Sequence, residues 1–151
     1  MGLFDMFKKT EKKSTLEEAD RINKEYLAEN PVPHNDENAL MRRASSLITA
    51  QKFQEGLELY KQLANDYPKN RGLYLSQVGV GYHFLHEFDK AIDYYVQSRD
   101  TGYEPSMNDD NIWDACELEY SLTKDKSSLQ KYLGLCPDGN HAKEAQKLLA
   151  K

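Results

Sequence analysis

The sequence predicts an all-α protein, and three features of its 151 residues carry that prediction. Apolar side chains recur at i, i+3, i+4 and i+7, the spacing that lines one face of a helix. After Asp36 the pattern reads as helices of 10 to 15 residues interrupted by turn-forming residues, and no stretch alternates apolar and polar residues as a strand would. The interruptions are Gln51-Lys52, Pro68-Lys69-Asn70, His86-Glu87, Gly102 to Pro105, Lys124-Asp125 and Pro137-Asp138-Gly139. These six breaks separate seven helices from residue 37 onward, and the segment from Asn30 to Asp36 sets one more apart before them.

In chain order, residues 1–13 form a head that is apolar at Leu3, Phe4, Met6 and Phe7 and then basic at Lys8, Lys9, Lys12 and Lys13. Its charge follows a very short apolar run, the reverse of a secretory signal, so export is not expected. Ser14 or Thr15 can cap the next helix, because Glu17 or Glu18, three positions on, can satisfy the reciprocal backbone donor. Leu16, Ala19, Ile22, Tyr26 and Leu27 give that helix its apolar stripe. Pro31 and Pro33 end it, since proline lacks the amide donor and restricts the residue before it. Residues 1–36 are therefore read as head, helix and proline-containing linker, and residues 37–151 as the main domain.

Within that domain the pattern repeats. Phe53, Gly56, Leu57 and Tyr60 line one helix face, and Phe88, Ala91, Ile92 and Tyr95 restate the same spacing and chemistry 35 positions later. A period in the thirties signals a solenoid, in which each helix pair is too small to bury its own face and stacks on its neighbour. Over residues 72–105, Leu75, Val78-Gly79, Tyr82, Ala91 and Tyr95 follow the order Trp-x2-Leu-Gly-x2-Tyr and then Ala-x3-Phe. On these residues the chain resembles the tetratricopeptide repeat family. Residues 37–70 fit through Leu40, Ala44, Leu47, Gly56, Tyr60 and Pro68. A third unit, near 110–138, fits through Trp113, Cys116, Tyr120, Leu129 and Leu133, with Glu117 at the small position. Residues 139–150, with Ala142, Ala145, Leu148 and Leu149 at helical spacing, read as a capping helix. The fold the resemblance implies is a set of antiparallel helical hairpins stacked as a short right-handed superhelix, with an extra helix before it. Close helix crossings need small residues, and Gly79 facing Ala91 is expected to supply one, with Tyr82, Phe88 and Tyr95 around it.

The resemblance also implies a function: a non-catalytic adaptor that binds a peptide or protein segment on the inner surface of the stack. The family's inward positions correspond to Asn38, Met41, Ser45 and Ile48 in the first unit and Leu73, Ser76, Val80, His83 and Phe84 in the second. Asn111, Asp114 and Leu118 are those of the third. This mixture of apolar anchors and small polar groups suits an extended segment or a helix, although Val80, Phe84 and Leu118 can equally pack under a neighbouring unit. The family's chaperone-tail clamp needs Lys, Arg and Asn at positions that here are Met41, Ser45, Gln77, Asn111 and Ala115, so that ligand is not expected. Two alternatives stand beside the adaptor: a peripheral membrane tether through the basic head, and a self-assembling scaffold.

Charge and chemistry narrow the field further. Twenty Lys and Arg against 25 Asp and Glu give a net charge of −5, which disfavours nucleic acid as a general partner. A mean hydropathy of −0.82 and the lack of a long apolar run argue against a membrane span. Two cysteines, Cys116 and Cys136, are too few for a disulfide framework, and a cytoplasmic setting with both as small core residues is the simplest expectation. His83 and His86 lack a third ligand, so no metal is expected. Asn108, Asp109, Asp110 and Asn111 lack the glycine and distal Glu of a calcium loop and are read as residues capping a helix start. No phosphate loop, nucleophile elbow or zinc-protease motif occurs, so neither catalysis nor a cofactor is expected.

Overall fold

The computed structural model describes residues 18, 20–22, 24, 25, 28, 29 and 36–151. The head, the caps Ser14 and Thr15, most of the first apolar stripe and Pro31 to Asn35 lie outside the described residues. Those described are all-helical where regular, with no strand among them. From Asp36 on, seven α-helices fall between the breaks that the sequence marks: α1 Glu37–Thr49, α2 Phe53–Asp66, α3 Arg71–Phe84, α4 Phe88–Asp100, α5 Pro105–Thr123, α6 Ser127–Leu135 and α7 Ala142–Leu149. A 3-10 turn, Pro68–Asn70, joins α2 to α3. No described helix is long and apolar enough to cross a membrane.

The chain divides into two compact units, residues 1–59 and 60–151. In the first, the described residues from Glu18 to Glu29 are helical, tied by exposed ion pairs such as Arg21–Glu18 and Lys24–Asp20, with Ile22 55% exposed. Asp36 caps α1, its carboxylate accepting from the amides of Asn38 and Ala39 at 3.0 and 3.4 Å. Ala39 and Ala44 are buried. A Cβ on Gly56 would lie 2.7 Å from Ile48 Cδ1, so a glycine there lets α2 approach α1.

The end of α1 is built on a left-handed residue. Gln51 has φ 62°, its amide donates to the Ile48 carbonyl at 3.0 Å, and the Lys52 amide donates to that of Leu47 at 2.8 Å. This pair of bonds is the Schellman arrangement, which satisfies carbonyls that the helix leaves open. The end of α3 reproduces it 35 positions later. His86 has φ 59° and donates to His83, and the Glu87 amide donates to Tyr82, both at 3.0 Å. The repetition seen in side chains therefore extends to the backbone. The end of α5 also turns on a left-handed residue, Lys124 at φ 61°, through a single bond to Tyr120.

In the second unit each helix from α3 to α7 packs chiefly on the next one in sequence. Tyr74, Val78, Ala91, Tyr95, Ile112, Cys116, Leu129, Tyr132 and Ala145 are all at most 1% exposed and form its interior. The tight approach of α3 to α4 is at Gly79, as the small-residue argument requires. Its nearest neighbours are not at Ala91, however: a Cβ on Gly79 would lie 2.6 Å from both Cδ1 and Cε1 of Tyr95. A second approach, at Gly72, is to Thr101 and Tyr103 beyond the end of α4. It is held by a buried relay across three helices, in which Asn108 Nδ2 donates to Ser98 Oγ at 3.0 Å and Ser98 Oγ donates to the Gly72 carbonyl at 2.7 Å. Tyr82 stacks on Tyr94 with centroids 5.5 Å apart, and the ammonium groups of Lys61 and Lys90 lie 5.3 and 5.2 Å from its ring. Arg99 ties α4 to the end of α6 by donating to the Leu135 carbonyl at 3.1 Å.

Candidate protein-binding face

The expected lining residues fall in both units. On α1, Asn38 and Ser45 are exposed and Met41 is half-buried, and their spacing of three and four residues puts them on one side of the helix. On α3 the spacing of Leu73, Gln77, Val80 and Phe84 places them in one row, and all four are half-buried. The opposite side of α3, with Tyr74, Leu75, Val78 and Tyr82, is buried. Ser76, expected in the lining, is only 1% exposed and offers a partner almost no surface.

His83 is brought against Tyr95. The Tyr95 hydroxyl lies 3.4 Å from His83 Nδ1, and the two rings meet edge to face. Burial drives the His83 pKa below the usual imidazole value, helped by the nearby His86, so the ring is neutral at pH 7. Burial pushes the Tyr95 hydroxyl the other way, and the charge of Asp114 adds to it. Asp114 is exposed on α5, yet loss of solvent raises its pKa, partly countered by His141 and then reinforced by Asp110. Helices α3 and α4 thus meet at Tyr95, with the His83 imidazole beside its hydroxyl. Asn111 and Leu118, half-buried, are close to Asp114 on the surface of α5.

A second cluster was not legible in the sequence. Asp109, 8% exposed, accepts from the Asn140 amide at 2.6 Å and from the Tyr132 hydroxyl at 2.8 Å. Tyr132 in turn accepts from the His141 amide at 3.0 Å. Burial works against the Asp109 charge, but these donors and the Cys136 thiol outweigh it and hold the pKa below the ordinary value of 3.8. The His141 ring lies flat on Trp113, centroids 5.2 Å apart, with Nε2 3.0 Å from Asp110. The acidic run therefore does not cap its own helix: the N-cap of α5 is Glu104, which makes no side-chain cap bond. Asp109 and Asp110 instead dock the connection between α6 and α7, and α7 begins at Ala142. The one signal available was the pairing of that run with the turn Pro137-Asp138-Gly139-Asn140, which the sequence places about 30 residues apart.

The chemistry open to these groups is limited. Tyr132 and Asp109 are saturated by each other and by backbone donors, which makes them fasteners for a loop. Cys116 and Cys136 are buried and unpaired, and burial pushes both thiols up to about 12, so neither is a thiolate at neutral pH. No group of three or more His, Cys, Asp or Glu able to hold a metal ion occurs among the described residues. No family model, curated protein or solved structure matches this chain.

Proposed function

We propose that the chain is a non-catalytic protein-interaction adaptor built on tetratricopeptide-like helical hairpins, and that its second unit binds a peptide or protein segment along α3 and α5. The observation that carries this reading is the half-buried row of Leu73, Val80 and Phe84, which stands on the same helix as the buried Tyr74, Val78 and Tyr82. A helix with one fully buried side and a second, partly covered apolar row has hydrophobic contact surface to offer beyond what its own core uses. The left-handed turns at Gln51 and His86, set one repeat apart, support the hairpin arrangement.

The test is selection of binding peptides from a displayed random library against the whole chain, followed by titration of the winners against the double variant Val80→Glu, Phe84→Glu. Loss of about 1.4 kcal/mol or more, tenfold in affinity, with unchanged far-ultraviolet circular dichroism is the expected result. Equal binding by the variant removes α3 from the site.

A further inference from the structure

Resting on the interaction-face reading, we infer that the segment accepted is a cationic amphipathic one, with an apolar row and an adjoining row of Lys or Arg, docked along α5. At 100° per residue, α5 turns two neighbouring rows to solvent. One holds Met107, Asn111, Leu118 and Leu122, of which Met107 is 37% and Leu122 57% exposed while Asn111 and Leu118 are half-buried. The next holds Asp110, Asp114 and Glu117, all exposed. In 19 residues α5 carries five Asp and Glu and no Lys or Arg. Asp110 is engaged by Asn140 and His141, whereas Asp114 and Glu117 make no hydrogen bond or ion pair among the described residues.

Carboxylates three and four residues apart on a helix repel one another; α5 carries no Lys or Arg to relieve it, and His141, beside Asp110, offsets it only in part. A partner's ammonium or guanidinium group set against Asp114 and Glu117 relieves it, and covering the apolar row beside them excludes water and strengthens those pairs. The row from Met107 to Leu122 is about 22 Å long at 1.5 Å per residue, matched by about four turns of a bound helix. A second copy of this chain fits poorly, because a two-fold contact sets acidic row against acidic row between molecules that each carry −5. An acidic segment adds to the repulsion.

The experiment titrates three labelled amphipathic peptides of about 16 residues, Leu/Lys, Leu/Glu and Leu/Ser in one common pattern, against the full chain by fluorescence anisotropy. The Leu/Lys peptide is expected to bind best and to weaken as salt is raised. Asp114→Lys with Glu117→Lys is expected to weaken it by about tenfold or more, and Asp114→Asn with Glu117→Gln by less. Asp93→Lys with Asp100→Lys, the same change in net charge on exposed positions of α4, is expected to weaken it by less than about twofold. Equal losses from the two lysine pairs, tighter binding of Leu/Glu or Leu/Ser, or no binding of Leu/Lys overturns the inference. So does a dimer in sedimentation that Asp114→Lys with Glu117→Lys dissociates. The two readings separate in the Val80→Glu, Phe84→Glu variant. Loss of a Leu/Ser-preferring site there supports the α3 face and defeats the cationic partner. Leu/Lys binding that survives there, yet is lost with Asp114 and Glu117, supports the cationic partner and defeats the α3 face.

Discussion

Replacing Asp109 with Asn tests whether the α6–α7 connection is held by one buried charge. The substitution keeps the shape but leaves a single carbonyl oxygen where two carboxylate oxygens now serve the Asn140 amide and the Tyr132 hydroxyl. A hydrogen bond to a charged group is worth about 1.5–3 kcal/mol, so losing one and neutralising the other is expected to cost about 3 kcal/mol. For a unit of about 90 residues the unfolding entropy is near 0.19 kcal/mol/K, which converts that cost into a Tm about 15 °C lower. The pH dependence has a defined sign. Asp109 has its folded pKa below 3.8, so its contribution is present above the unfolded value and is lost as pH falls through the folded one. Thermal unfolding followed by circular dichroism should therefore show a wide gap between native and D109N at pH 7 that closes below pH ~4. A variant within about 0.5 kcal/mol of native at pH 7, or a gap that does not change with pH, would refute the reasoning.

Three further outcomes follow from the same geometry. Gly79→Ala adds a Cβ 2.6 Å from the Tyr95 ring, and overpacking of about 1–3 kcal/mol should outweigh the roughly 1 kcal/mol gained in helix propensity, read as a lower urea midpoint. Gln51→Gly relieves a left-handed φ of 62° on an exposed residue and should raise stability by about 1 kcal/mol in thermal unfolding. The Cys116 thiol, pushed up to about 12 from 9.0, stabilises the fold below pH 9 and loses that contribution at about 1.4 kcal/mol per pH unit above it, so Cys116→Ala should flatten the alkaline limb of a stability–pH curve.

The helices were legible because their signals are local. Pro68, Gly102, Pro105 and Pro137 each sit at or beside a helix boundary, and the period of 35 between Phe53 and Phe88 returns as the same backbone turn at Gln51 and His86. Neither turn residue is a glycine, so the left-handed conformation itself could not be read from residue type. Part of the candidate face was legible too, since Leu73, Val80 and Phe84 recur at one helix row and remain partly open. Ser76 was not separable from them by spacing, because whether a small polar residue beside that row is covered depends on which helix lies across it.

The amino-acid order alone determined that the described residues are helical, where each helix from residue 37 onward stops, that Gly79 marks a close crossing and that the charge is acidic. These follow from the 3.6-residue period, from backbone sterics and from counting, all of which act within a few residues or over the chain as a whole. Only the tertiary structure decided what meets at each crossing: that Tyr95, not Ala91, lies nearest to Gly79, and that Asp109 receives an amide 31 residues away. It also decided that, among the described residues, Asp114 and Glu117 make no ion pair while Asp110 is engaged. Such pairings depend on the rotation and offset of one packed helix against another, which no run of neighbouring residues encodes.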